Sequence, residues 1–137
     1  MSTYNKFNCF VADICNKVHN LASDTLQVAL TATANAPVAT NTVLANLTQI
    51  AYTNLSTQVI TTTSSTQTSG TYKLILADLT LTASGAVATF QYVAIYNQTS
   101  TSDSLICWFD YGSAVTLANG DQFVIDFDNT NGLLQIA

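Results

Sequence analysis

Charge is what this sequence has least of. Charged residues fill 8% of its 137 positions, against about a quarter in an ordinary globular domain. Arginine and glutamate are absent, so the acids are eight aspartates and the bases are Lys6, Lys17 and Lys73. A net charge of −5 with three scattered lysines excludes a nucleic-acid binder, because gripping a phosphate backbone takes clustered cations. Anionic membranes are excluded on the same ground. No apolar run approaches the ~20 residues that span a bilayer. The opening "MSTYNKFNCF" lacks a basic segment followed by an apolar one, so no signal peptide is expected. Cysteine is also sparse. Cys9, Cys15 and Cys107 make an odd number, which argues against a disulfide framework and for synthesis in a reducing cytoplasm.

Thr, Ser, Asn and Gln stand where charges usually do, and 48% of the chain is apolar. That is enough for one domain with a real core. A neutral, hydroxyl-rich surface suits a protein partly covered by a partner. Phe7, Phe10, Val11, Ile14, Val18 and Leu21 recur at helical spacing and predict a helix over about 4–21, with Ser2 or Thr3 as its cap. Cys9 and Cys15 fall on different faces of it and should not pair.

From about residue 24 to 137 the period changes to two. "LQVALTA" sets Leu26, Val28 and Leu30 on one face. "YKLILADLTLTA" alternates, breaks at Ala77-Asp78 and resumes. "TFQYVAIYN" places Phe90, Tyr92 and Tyr96 opposite Val93 and Ile95. "SLICWFDYG" is apolar on both faces, as a doubly covered strand would be. "DQFVIDF" points Phe123, Ile125 and Phe127 one way and Asp126 the other. Turn signals stand at Ser84-Gly85, Asn119-Gly120-Asp121 and Asn131-Gly132. Thr61 to Thr71 reads as either a flexible loop or an edge strand. The expectation is a mainly β chain: a β-sandwich or jelly-roll-like domain with one N-terminal helix packed against it.

Chemistry is suggested first by "DFDNTNGLLQIA", Asp126 to Ala137, which starts as calcium loops start. The match fails on counting. From Asp126, position five is Thr130, position six is Asn131 rather than Gly, and position twelve is Ala137 where a bidentate Glu belongs. Asn131-Gly132 is instead the favoured pair for a type I′ turn. The stretch therefore predicts a C-terminal hairpin with Asp126 and Asp128 facing solvent. Cys15 and His19, four apart, offer two ligands where zinc needs three or four. They lack the positive surroundings a thiolate nucleophile needs, and His19 reads as a surface or partner-facing residue. Phosphate-binding and nucleophile-elbow glycine patterns are absent, and nothing marks a carboxylate pair. Trp108, with Tyr96 and Tyr111, fits either a sugar-stacking platform or the core, with the core favoured. The glycosylation patterns "NLT", "NLS" and "NQT" are what chance gives in so Asn- and Thr-rich a chain. No catalytic residue, metal site or cofactor is expected.

Three segments carry a resemblance: "TYNKFNCFVADICNKVHNLASDTLQVALTATAN", "SSTQTSGTYKLIL" and "YVAIYNQTSTSDSLICWFDYGSAVTLANGDQFVIDF". In that order, and over most of the chain, they resemble a family of small structural proteins of tailed bacteriophages. The resemblance implies a short helix ending near "VHNL", a strand at "DTLQVALT", an "LANGDQF" turn and a closing hairpin. It implies a head decoration (cement) protein or a small tail-associated protein. The three cysteines depart from the family's small or charged residues, and no functional residue is carried over. The resulting expectation is a virion protein on the capsid exterior, not an enzyme, with the major capsid protein and copies of itself as partners. A tail or neck component is the alternative within that family, and a glycan-binding module the alternative from another class.

Overall fold

A computed structural model of the chain describes residues 2–137. The chain is mainly β, with every strand pairing antiparallel. Among the described residues ten strands and one α-helix follow in the order β1 (Thr3–Lys6), α1 (Cys9–Cys15), β2 (Leu26–Thr31), β3 (Val59–Ile60), β4 (Thr62–Thr68), β5 (Thr71–Leu76), β6 (Leu79–Thr82), β7 (Phe90–Asn97), β8 (Ser104–Val115), β9 (Gln122–Ile125) and β10 (Leu134–Ile136). They build a five-stranded sheet in the order β1-β8-β7-β2-β3, a three-stranded sheet β10-β5-β4 and a two-stranded sheet β6-β9.

The layers meet like a sandwich. Leu26, Val28 and Leu30 of β2, with Val93 and Ile95 of β7, form one continuous core with Leu74 and Leu76 of β5, Leu81 of β6 and Ile125 of β9. The period-two pattern of the sequence therefore marks the right faces. The opposite face of the five-stranded sheet is buried as well. Ala29, Ala94, Tyr96, Leu105 and Trp108 pack there with Phe7, under Ala39, Leu44 and Leu47. That cover is a loop with two 3-10 turns, Thr33–Asn35 and Leu44–Asn46. Asn46 Oδ1 accepts from the Thr42 and Val43 amides at 2.9 and 3.2 Å, which holds the loop against the sheet without any charge.

The doubly apolar strand has a local cause. Ile95 pairs with Cys107 and Tyr96 with Leu105, so Ile106 is an extra residue in β8. A bulge of this kind turns two successive side chains to one side. Ile106 and Cys107 both enter the inter-sheet core, while Leu105 and Trp108 face the loop-covered side. A second irregularity, between Phe90 and Tyr92, corrects the reading of β7. Phe90 lies with Val93 and Ile95 in the inter-sheet core, whereas Tyr92 packs on the other face.

The helix is shorter than its stripe. Residues 4–6, expected to be helical, and Thr3, a candidate cap, pair with Asp110–Cys107 of β8. Asn8, not Ser2 or Thr3, stands at the N-cap, and its side chain makes no capping bond. At the other end Lys17 adopts φ +63°. The Val18 amide reaches back to the Asp13 carbonyl at 2.9 Å, the six-residue closure of a Schellman stop. A lysine takes the left-handed position that glycine usually fills. The apolar stripe divides accordingly: Phe7 enters the loop-covered core, Phe10 and Leu21 the inter-sheet core, and Val11 stays half exposed. Thr61 to Thr71 resolves into the edge strand β4, its hairpin turn and the start of β5.

Candidate functional site

The acidic C-terminal stretch is neither a calcium loop nor a hairpin. The arms of the expected hairpin belong to different sheets, with β9 paired to β6 and β10 to β5. The link between them is a compact turn organised by Asp128. Its Oδ1 accepts the amides of Thr130 and Asn131, each at 2.8 Å, and its Oδ2 accepts Asn131 Nδ2 at 2.9 Å. The Gly132 amide closes the turn on the Asp128 carbonyl at 3.0 Å. These amides hold the Asp128 carboxyl below its ordinary pKa, with the nearby Lys73 adding a smaller pull. Asp126 and Asp128 are both exposed, as expected, but Asp128 is a structural acceptor with several partners rather than an idle surface acid. Asp78 plays a similar part, its Oδ1 accepting the Phe127 amide at 2.9 Å. Among the described residues no three His, Cys, Asp or Glu side chains gather closely enough to hold a metal ion.

Cys15 and His19 do not form a pair of like character. The helix stops between them. Cys15 is exposed, whereas His19 is 6% exposed, which corrects its reading as a surface residue. Its ring packs 5.4 Å from that of Phe10. Asn97 Nδ2 lies 3.0 Å from His19 Nδ1. An amide NH2 can only donate, so Nδ1 accepts and the ring proton sits on Nε2, which is buried without a partner. Asn97, fully buried, also donates to Asp24 Oδ2, and its Oδ1 accepts the Thr99 and Ser100 amides at 3.0 and 3.2 Å. The network pins the helix exit to the β7–β8 loop. Burial pushes the His19 pKa down, against a smaller upward pull from Asp13 and Asp24.

The other thiols are equally unlike nucleophiles. Burial, and then Asp13, push Cys9 up to about 11. Its Sγ lies 3.5 Å from the Leu105 carbonyl. Cys107 is fully buried and its pKa is raised by that burial. Both are protonated at neutral pH, and a thiol is a poor nucleophile.

The aromatic trio falls apart too. Trp108 is 9% exposed and packs on Phe7 with centroids 4.5 Å apart. Tyr96 is buried and donates to Gln27 Oε1 at 2.9 Å. Tyr111 alone is open, lying edge-on to Phe123 at 5.3 Å. No sugar-stacking platform unites them.

What the sequence did not reveal is an apolar groove along one side of the sandwich. It comprises two recesses, one between Ser2, β8 and β9 and the other between β1, α1 and β10, which the edge-on contact of Tyr4 with Phe109 brings side by side. At one end Phe109, Tyr111, Phe123 and Val124 line a recess of about 210 Å³ with Ser2 and Asp126. At the other end Tyr4 and Lys6 face Val11 and Ile14 of α1 and Leu134 and Ile136 of β10. Strand alternation was the available signal for each wall, but nothing in the sequence says which strands lie across the groove from each other. No helix among the described residues is long and apolar enough to cross a membrane. Comparison of the chain with protein-family models, with curated proteins and with solved structures finds no match in any of the three.

Proposed function

We propose that this chain is a bacteriophage virion structural protein, a cement or decoration protein that binds the outer surface of the capsid shell and clamps neighbouring capsomers. The observation that carries the reading is the pairing of a charge-poor surface with open strand edges and an exposed apolar groove. β1, β3, β4 and β10 each have a neighbour on one side only. Unpaired edges and apolar recesses are the surfaces by which β proteins join partners. Repetition over a lattice turns modest contacts into firm attachment, because each added site raises the effective concentration of the next. The family resemblance of the sequence supports the same role, and the raised thiols of Cys9 and Cys107 and the dispersed aspartates offer catalysis no constellation to work from.

The test is stoichiometry on purified particles. A cement protein is present at a copy number comparable to the shell protein and is recovered on tail-less heads. Recovery only with tails, at the number of a small ring, would replace the head assignment with a tail or neck one. Absence from the particle would end the reading. The glycan-binding alternative has no structural observation in its favour, since Trp108 is in the core.

A further inference from the structure

Among the described residues, five of the seven large apolar side chains that stand exposed, Tyr4, Val11, Tyr111, Val124 and Ile136, lie along the groove between β1 and the lower layer. Single exposed hydrophobics are normal, but a contiguous set marks an interface. The order of residues along β1 shows how the set is arranged. Tyr4 and Lys6 share one side of the strand, and Ser2, in the same alternation, opens the recess that holds Asp126. At about 3.3 Å per residue, Ser2 and Lys6 are separated by roughly 13 Å. The groove therefore has an apolar middle, where Tyr4 meets Phe109 edge-on at 5.4 Å, a cation at one end and an anion at the other. Lys6 and Asp126 are both exposed.

A two-fold axis through the middle of such a strip lays its lysine end on the aspartate end of its copy, twice over. Self-complementarity of this kind is what an isologous interface requires of a single patch. An unlike partner would need no such balance within one patch. We propose that this groove is the interface of a two-fold symmetric homodimer, in which Lys6 of each copy faces Asp126 of the other across the joined apolar strips. The proposal goes beyond the proposed function by naming a second copy of the chain as a partner, and its test does not involve the particle.

Sedimentation equilibrium of the full chain over a wide concentration range gives a monomer–dimer Kd. Lys6→Asp and Asp126→Lys should each weaken dimerisation at least tenfold, since each places like charges together at two points. The double variant Lys6→Asp/Asp126→Lys should restore the original Kd, because reversing both partners rebuilds both pairs. Raising salt should weaken the original dimer and relieve part of the loss in both single variants, because screening acts on repulsion as it does on attraction. Circular dichroism should be unchanged in all three, as both side chains are exposed, and so should the melting temperature at concentrations too low for the original chain to dimerise. A chain that stays monomeric, or that forms trimers, overturns the proposal. So does a dimer whose Kd ignores either single reversal, or a double variant weaker than both singles. A dimer that meets these expectations yet is absent from particles would refute the virion role and leave the dimer standing.

Discussion

Two Xaa-Gly pairs behave in opposite ways. Ser69-Gly70 makes a two-residue hairpin turn between Thr68 and Thr71, paired residues of β4 and β5. Both turn residues have positive φ, +51° and +83°, as a type I′ turn needs. Asn131-Gly132 is the pair that turn statistics favour, yet only Gly132 has positive φ, +81°, and the strands on either side pair elsewhere. A dipeptide's preference is worth at most about 1 kcal/mol. Burying Phe127 and Leu133, both under 10% exposed, is worth about 1.5–3 kcal/mol for each side chain. Packing chose where the strands went, and the turn followed.

The two glycines should respond differently to the same substitution. At Gly132 an added Cβ would meet the Leu74 carbonyl oxygen at 2.5 Å, and that carbonyl already accepts the Leu133 amide at 2.8 Å. Gly132→Val adds this collision with backbone to the cost of a β-branched residue at positive φ, and should destabilise by about 3 kcal/mol or more. At Gly70 nothing lies within 4 Å of the position. Gly70→Val carries the φ penalty alone, about 1–2 kcal/mol. Urea unfolding of both variants measures the difference. Equal losses would mean that the strand carrying Leu74 yields, and that the contact at Gly132 is soft.

The same contrast shows which parts of the fold could be read from sequence. Strands β2, β5, β6 and β9 were legible because large apolar side chains recur at every second residue within each, as Leu26, Val28 and Leu30 do in β2, Leu74 and Leu76 in β5, and Leu79 and Leu81 in β6. β8 was legible only as doubly apolar, since the bulge at Ile106 leaves no residue signature. The helix was over-read. Its stripe of Phe7, Phe10, Ile14 and Leu21 is apolar for two cores rather than one, and no glycine marks the stop at Lys17. Residues 4–6 were lost to β8 by long-range pairing, which no local pattern records. His19 lies off the stripe and so looked exposed, but it is buried by the chain after the helix and by Asn97, 78 residues away. The groove was illegible for the same reason, since its walls come from both ends of the chain.

Asp128 sharpens the comparison from the acid side. The Asn131-Gly132 link depends on a carboxylate, whereas the Ser69-Gly70 turn is held by a neutral contact, Gln67 Oε1 to the Gly70 amide at 3.0 Å. The folded pKa of Asp128 lies below the ordinary 3.8. The unfolded chain therefore takes up the proton first. The contribution of Asp128 is complete above that value and is lost as pH falls through the folded pKa. Asp128→Asn keeps an acceptor for the two amides but sets an NH2 against Asn131 Nδ2. It should lower the melting temperature slightly at neutral pH and flatten its fall below pH 4. An unchanged acid limb would show that the charge adds nothing to the turn.

The smallest effect should come from Ser69. This residue holds φ +51° with an exposed side chain, and serine gains nothing from that conformation. Asparagine is several-fold enriched at positive φ, and it is the preferred first residue of a type I′ turn before glycine. Ser69→Asn thus puts the favoured pair where the hairpin actually is. It should stabilise by roughly 0.5 kcal/mol, the worth of a twofold to threefold conformational preference. The change should appear as a higher urea midpoint with the slope unaltered, because the surface exposed on unfolding is the same. The matching change Asn131→Ser should do the reverse through a different route, by removing the Asn131 Nδ2 contact to Asp128 at 2.9 Å rather than by any φ preference. If Ser69→Asn lowered the midpoint instead, the β4–β5 connection would not be a type I′ turn in solution, and the two Xaa-Gly sites would be alike after all.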